Sequence, residues 1–437
     1  MKSLLVKDCS WVVTQNQERE VKRNTSILIE DGLISDIGDV KAEAEMVISG
    51  RKMVAIPGLV NAHTHAAMTL LRGYADDLPL KQWLEKWVWP LERKMRAEYC
   101  YSGALLGAIE MVKGGITAFL DMYLYPESTV AAALKVGLRA VVCYGMFDFG
   151  DQTLADKQLK EAAAFIRRVK GEGGKLVKPA LGPHAPYTCS KELLIGAKEL
   201  ADKEGVLLHI HLAETADEQE EFKRKTGFRE ILFLDRIGFL GPNVVAAHCV
   251  HLSKRELQLL VKRKVKVVHC PVSNMKLSSG VAPLLNMVER GCLVTLGTDS
   301  AASNNSLDLF ESMKVAALLH KAFNANPAVL PAQQVLDLAT LNGYAALYGG
   351  GGSIAEGERA DIVLLNLDTV NLTPVHSASS IISHLIYAAK PFNVSTVIVN
   401  GKLLVHNGRV LTVKEFEVLR QARKAALRLR VPSNLTR

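Results

Sequence analysis

Two histidines, His63 and His65, follow an apolar, β-branched run and a Pro57-Gly58 break. On an extended strand, residues two apart share a face, so both imidazoles can reach one metal ion with nitrogens about 2 Å from it. Downstream, His184, His211, His248, His269 and Asp299 each close a short apolar run. His63, His65, His211 and Asp299 together offer three neutral nitrogens and one carboxylate. That borderline donor set suits one divalent metal ion, Zn2+ ahead of Fe2+, with a water completing the shell. Such a cation draws the pKa of a bound water from about 15.7 towards about 7, which supplies hydroxide at neutral pH. No Lys stands at these run ends, so a carbamylated-lysine bridge between two metals is not expected.

Glu214 lies three residues past His211, where a carboxylate can reach both the activated water and a substrate, as a proton shuttle must. Asp299 can also accept a proton from that water. His248 is placed to hydrogen-bond the attacking oxygen or the group being displaced. The competing readings are structural: Glu214 as a cap of the next helix, His248 as a satisfied strand-end imidazole. His209, one step deeper on the same face as His211, reads as a hydrogen-bonded residue of the interior. The stretch after His65 carries Trp83, Trp87 and Trp89. The i,i+4 spacing of Trp83 and Trp87 suits helix packing, but an aromatic above a site can also stack on a flat substrate. Trp83 is open to either role, and the other two read as packing. Glu92, nine residues after Trp83, can accept from a pair of substrate hydroxyls. Cys249 and Cys270 lack C-x-x-C spacing, which excludes a thiolate-ligated deaminase site.

Eight apolar runs must position these groups: 54–65, 115–121, 140–145, 176–184, 206–213, 244–248, 265–270 and 292–299. Helical patterns separate them, including Leu159–Val169, Lys191–Lys203 and Ser253–Val261, the last opened by a Ser253-x-x-Glu256 capping box. Eight strand-helix units in about 300 residues predict a (β/α)8 TIM barrel, whose active sites lie at the C-terminal strand ends. His63, His65, His184, His211, His248, His269 and Asp299 all sit at such ends. Before the barrel, short period-2 pieces (4–6, 11–14, 26–30, 33–37 and 46–49) with Asp-Gly turns predict antiparallel β-structure. After it, a helix over 331–348 runs into Gly349-Gly350-Gly351-Gly352. Strands follow at 360–365, 394–399 and 403–406, with an Asn400-Gly401 turn. The expected architecture is α/β: a barrel of residues 57–352 inserted in a small composite β-sandwich domain built from 1–56 plus 353–437, with a C-terminal helix.

The 437 residues carry a net charge of +8, part of it in the amphipathic stretch from Lys414 to Arg437. Without a recognition motif that stretch reads as a solvated helix face, and no nucleic-acid partner is expected. The apolar run at the N-terminus is too short for a secretory leader, and no segment approaches the roughly 18 apolar residues of a membrane span. Seven scattered cysteines suit reduced thiols and a cytoplasmic location.

The motifs P-G-L-V-N-A-H-T-H from Pro57, H-L-A-E from His211, A-H-C-V-H, H-C-P-V-S-N-M-K-L from His269 and G-T-D-S-A-A-S-N-N-S resemble the amidohydrolase superfamily. Within it they look like the 5-methylthioadenosine/S-adenosylhomocysteine deaminases and related 5′-deoxyadenosine deaminases, over essentially the whole chain. The resemblance implies one metal on His63, His65, His211 and Asp299, with Glu214 protonating a purine ring nitrogen and His248 near the attacked carbon. It also implies substrate contacts from Trp83, Glu92 and His184, the last two on the ribose hydroxyls of a purine nucleoside, in an enzyme that is a homo-oligomer. Some members carry arginines near the end of the third strand that can hold the charged tail of S-adenosylhomocysteine. Here no Arg occurs between Arg139 and Arg167, although Lys157 could substitute. A cation-free site would not repay desolvation of a carboxylate, so neutral 5′ groups are expected. Guanine, pterin or s-triazine hydrolysis on the same scaffold is the alternative, separated by Glu92 and His184. A metal-free scaffold protein is a further one, disfavoured by four intact ligands.

Overall fold

Eight short strands, four of them buried along their whole length, form one parallel sheet. They are β1 (Leu59–Thr64), β2 (Ile116–Tyr123), β3 (Arg139–Met146), β4 (Val177–Pro183), β5 (Leu207–Leu212), β6 (Val244–His248), β7 (Lys266–His269) and β8 (Val294–Leu296). β2 is buried at every position, as expected where helices cover the outside and side chains fill the inside. A bridge between Thr64 and Asp299, just past β8, brings the first and last strands together and nearly closes the barrel. Asp299 N donates to His63 O across that seam (3.0 Å). The computed structural model describes residues 3–429, so Arg430 to Arg437 of the expected C-terminal helix lie outside the described residues; the helix is seen over Glu415–Leu429.

A second sheet joins both flanks of the barrel. Its order is Arg409–Val410, Lys402–His406, Val394–Val399, Ile362–Asn366, Met53–Pro57, Ser3–Val13, Val21–Glu30 and Leu33–Gly38, with Met46–Ser49 also paired to Ser3–Val13. The sheet curls until its ends meet: Ala360 N donates to Gly32 O (2.9 Å) and Gly401 N to Ala360 O (3.0 Å). Leu4, Ile27, Ile34, Ile362 and Ile398 pack inside the curl.

Four expectations are corrected. The run over 54–65 is two strands in different sheets, Met53–Pro57 and β1. The chain crosses at Gly58, where an added Cβ would stand 1.9 Å from Thr117 Oγ1. The flanking sheet is mixed, because Ser3–Val13 runs parallel to Met46–Ser49 and Met53–Pro57. The pieces expected at 4–6 and 11–14 are one strand, Ser3–Val13, with an irregularity between Val6 and Cys9 and Asp8 at φ 58°. The expected helix over 331–348 breaks into Ala332–Ala339 and Leu341–Tyr348. At the break the Thr340 hydroxyl donates to Leu336 O (2.6 Å) and accepts from Gln15 Nε2 (2.9 Å). The Ser253–Glu256 capping box forms as expected.

The two sheets are tied at the N-terminal end of the barrel. Arg139, at the start of β3, donates from Nε to Asp361 Oδ2 (2.5 Å), both side chains being 3 % exposed. Asp361 also accepts from Tyr344 Oη (2.8 Å) and Asn400 N (2.7 Å). This lock lies opposite the strand ends that carry the candidate site.

Candidate active site

The strand ends bring four groups together. Asp299 Oδ1 stands 3.2 Å from His63 Nε2 and 3.3 Å from His65 Nε2, and His211 Nε2 stands 3.3 Å from His65 Nε2. His63, His65 and Asp299 form one set able to hold a metal, and His63, His211 and His248 a second that shares His63. The approach depends on Gly297, where a Cβ would meet His63 Cβ at 2.8 Å. Only a residue without a side chain lets the last strand run that close to His63.

These donors fit a cation. His65 Nδ1 donates to Met122 O and His211 Nδ1 to His184 O (2.7 Å), which leaves the Nε2 lone pair of each ring free. His63 Nε2 is buried without a hydrogen-bond partner. Lone pairs gathered this closely on an acid suit a divalent metal between them. Burial opposes the charge on Asp299, but the His63 and His65 imidazoles outweigh it and hold the carboxyl well below its usual range. Its Oδ2 accepts from Ser273 Oγ (2.6 Å) and Ser303 Oγ (2.9 Å), so Oδ1 is the oxygen left for the histidines.

Glu214 and His248 stand beside this cluster. Glu214 Oε2 is 3.7 Å from His248 Nε2, and Oε1 accepts from Ser279 Oγ (3.2 Å). The cap of the following helix, Ala216–Thr226, is Thr215 with Glu218, so Glu214 is free of that task. Burial pushes the Glu214 carboxyl up against the opposing pull of His248. His248 Nδ1 is held by Asn274 Oδ1 (2.8 Å). His269, also expected on this face, turns instead to His320, with the two Nε2 atoms 3.2 Å apart. Burial drives the thiols of Cys249 and Cys270 well up, which leaves them protonated.

A cavity of about 340 Å3 opens over the cluster. Trp83, Glu92, His184, His211, Glu214, His248 and Asp299 all line it. Trp83 both packs and lines, its Nε1 donating to Ala75 O (3.1 Å). The long connection after β1 is helical rather than a loop, in short turns from Leu80 to Glu92. Burial pushes the half-buried Glu92 up and His184 down to about 4. Trp89, expected only to pack, lines the wall with Phe147 and Phe149 from beyond β3. Lys157 is not on that wall: it sits on the helix Gln152–Glu172, 4.0 Å from Glu161. Arg93, exposed at the mouth, is the one Lys or Arg among the described lining residues.

Sequence reasoning passed over Asn274, Ser273, Ser279, Ser303 and Arg93. Asn274 and Ser303 fall inside motifs already conspicuous for His269 and Asp299, so the signal was present. Two acids, the half-buried Glu218 and the buried Glu230, were also missed. Glu218 accepts from Glu214 N (2.8 Å), and Glu230 Oε2 accepts from Ala213 N (2.9 Å). They brace the backbone on which Glu214 stands.

A sequence profile of the amidohydrolase family matches residues 54–404, and the chain belongs to that family. It is a metal-dependent hydrolase. The chain is 45% identical over 435 residues to a 5′-deoxyadenosine deaminase of Methanosarcina acetivorans, covering 99% of this chain and 100% of that one. A 5′-deoxyadenosine deaminase of Methanothermobacter thermautotrophicus is 46% identical over 409 residues, 93% of this chain and 95% of the other. Among solved structures, a zinc-bound adenosine deaminase from Xanthomonas campestris superposes with a TM-score of 0.93 at 33% identity, over 98% of both chains. A zinc complex of an atrazine chlorohydrolase from Arthrobacter aurescens reaches 0.89 at 24% identity, over 97% of this chain and 100% of that one; it speaks for the fold.

Proposed function

We propose that this enzyme hydrolytically deaminates the adenine ring of 5′-modified adenosines, giving the inosine analogue and ammonia. The observation that carries the reading is the pairing of Glu214 and His248 at 3.7 Å beside the Asp299 cluster, on the floor of a cavity walled by aromatic side chains. His63, His65, His211 and Asp299 would hold a single metal, Zn2+ ahead of Fe2+. When bound, that ion supplies the Lewis acidity that makes water a nucleophile at neutral pH.

The remaining work falls to the chain. Burial favours the protonated form of Glu214, so it can deliver a proton to ring N1 as oxygen adds at C6. His248, oriented by Asn274, hydrogen-bonds the oxygen adding at the reacting carbon. Asp299 takes a proton from the adding water and passes it to the amino group, ammonia leaves as the C6–N bond breaks, and the C6 hydroxyl returns its proton to Glu214 as it becomes the keto oxygen. Trp83 lies against the base, and Glu92 and His184 take the ribose hydroxyls. Phe147, Phe149 and Trp89 give the 5′ arm an apolar wall, which supports neutral 5′ groups: deoxy, methylthio or hydroxyl. Lys157 is not on this wall, and the cation at its mouth is Arg93. An exposed pair of this kind contributes about 0.2–1 kcal/mol, so S-adenosylhomocysteine is the poorer substrate rather than an excluded one.

Ammonia release from a panel tests this reading: 5′-deoxyadenosine, 5′-methylthioadenosine, adenosine, S-adenosylhomocysteine, guanine and an s-triazine. The neutral adenosines should lead in kcat/KM. Arg93→Met should lower the S-adenosylhomocysteine value by up to about fivefold and leave 5′-methylthioadenosine unchanged. Turnover of guanine or the triazine, with every adenosine untouched, would refute the proposal.

A further inference from the structure

Each of the three histidines proposed as ligands has its Nδ1 engaged, but only His63 uses a side chain to do so. His65 and His211 donate to the main-chain carbonyls of Met122 and His184. His63 Nδ1 instead faces His209 Nε2 at 2.7 Å. His209 Nδ1 in turn lies 2.8 Å from Val245 O.

Hydrogen-bond chemistry fixes the protons along this row. A carbonyl oxygen only accepts, so His209 Nδ1 must carry the hydrogen. His209 is fully buried, where the neutral ring is favoured over the cation, so its Nε2 is a bare acceptor. The short contact to His63 Nδ1 then requires the hydrogen to be on His63. That leaves His63 Nε2 unprotonated, and this is the atom that lies buried without a hydrogen-bond partner 3.2 Å from Asp299 Oδ1. Were His209 turned or charged, His63 Nδ1 would have to accept and Nε2 would hold the proton, leaving no lone pair for a metal.

We infer that His209 is a positioning residue: through the chain Val245 O, His209, His63 it selects the metal-binding tautomer of His63. The inference rests on the proposed ligand role of His63, but not on the substrate. A partner that orients a ligand in this way contributes roughly ten- to a hundredfold in metal affinity.

Two substitutions separate orientation from packing. The Oε1 of Gln can accept near the place of His Nε2, whereas Leu fills similar space and accepts nothing. Affinity for Zn2+ is read by competition with a chromophoric chelator, alongside the melting temperature of the metal-free protein. His209→Leu should weaken Zn2+ binding roughly ten- to a hundredfold. His209→Gln should stay within about threefold of wild type by restoring the acceptor. Equal loss in both variants, or loss in neither, overturns the inference. Should neither variant fold, 15N NMR of the wild type decides: a bare His209 Nε2 accepting from His63 Nδ1–H supports the chain, and a proton on His209 Nε2 refutes it. Zn2+ affinity is independent of any purine, so failure of the deaminase reading alone would leave this result intact.

Discussion

Replacing Asp361 with Asn removes a charge while keeping its shape. The side chain is 3 % exposed and receives Arg139 Nε at 2.5 Å, Tyr344 Oη at 2.8 Å and Asn400 N at 2.7 Å. An amide can still accept from one of these donors, but Arg139 is left as a buried cation without its counter-charge. Breaking a buried pair from one side costs about 3–5 kcal/mol. With an unfolding entropy of about 2.1 cal/mol/K per residue, the whole chain carries roughly 0.9 kcal/mol/K. The expected fall in Tm is therefore about 3–5 °C if the molecule melts as one unit, as read by calorimetry at fixed metal loading. The double variant Arg139→Met with Asp361→Leu should lose less than Asp361→Asn alone, because no charge is stranded. Since the pair lies at the barrel end opposite the site, kcat/KM at 25 °C should change by less than about twofold. A Tm shift below about 1 °C, or a double variant worse than both single ones together, would refute the claim that this pair locks the two sheets.

Two further outcomes are expected. Glu214→Gln keeps the hydrogen bond from Ser279 but cannot deliver a proton, so kcat should fall by about 10^2–10^4 with metal content unchanged by atomic absorption. Retained turnover would remove Glu214 from the proton path. Gly58→Ala forces a Cβ to within 1.9 Å of Thr117 Oγ1 and 2.5 Å of its Cγ2, and should destabilise by about 1–3 kcal/mol. A variant that melts with wild type would show that the crossing between the sheets has room to spare.

The sequence disclosed the barrel and the clustering of polar groups at its strand ends because both are written in local signals. A strand end is marked by an apolar run that stops, and His63, His65, His211 and Asp299 are polar residues placed where such runs stop. Gly58 was harder to read. The apolar run continues across it from Val54 to Val60, so periodicity cannot report that the chain leaves one sheet for another. The lock between Arg139 and Asp361 spans 222 positions and leaves no pattern in either neighbourhood. Glu218 and Glu230 were hidden for a different reason. Charged residues on a polar helix normally face solvent, and Glu218 stands in Ala-Asp-Glu-Gln-Glu-Glu. Its one available signal was the Thr215-x-x-Glu218 spacing of a capping box.

How the site is held together follows from its backbone. Ala213, His248, Cys249 and Asp299 all have positive φ, at 51°, 71°, 50° and 64°. Each such non-glycine residue costs about 1–3 kcal/mol, and all four lie at the C-terminal ends of β5, β6 and β8. A regular strand would carry its last side chain straight on, so the bend is what turns Glu214, His248 and Asp299 towards one point. The bends persist because neighbouring strand ends hold them. Cys249 N donates to Leu212 O (2.9 Å), Val250 N and His251 N both donate to Ala213 O (2.9 Å each), and Asp299 N donates to His63 O (3.0 Å). Glu230 secures Ala213 from beneath. Straightening any one end would break bonds belonging to the next. The strained geometry is thus a property of the ring of strand ends, which is why residues separated by more than two hundred positions can converge on one point.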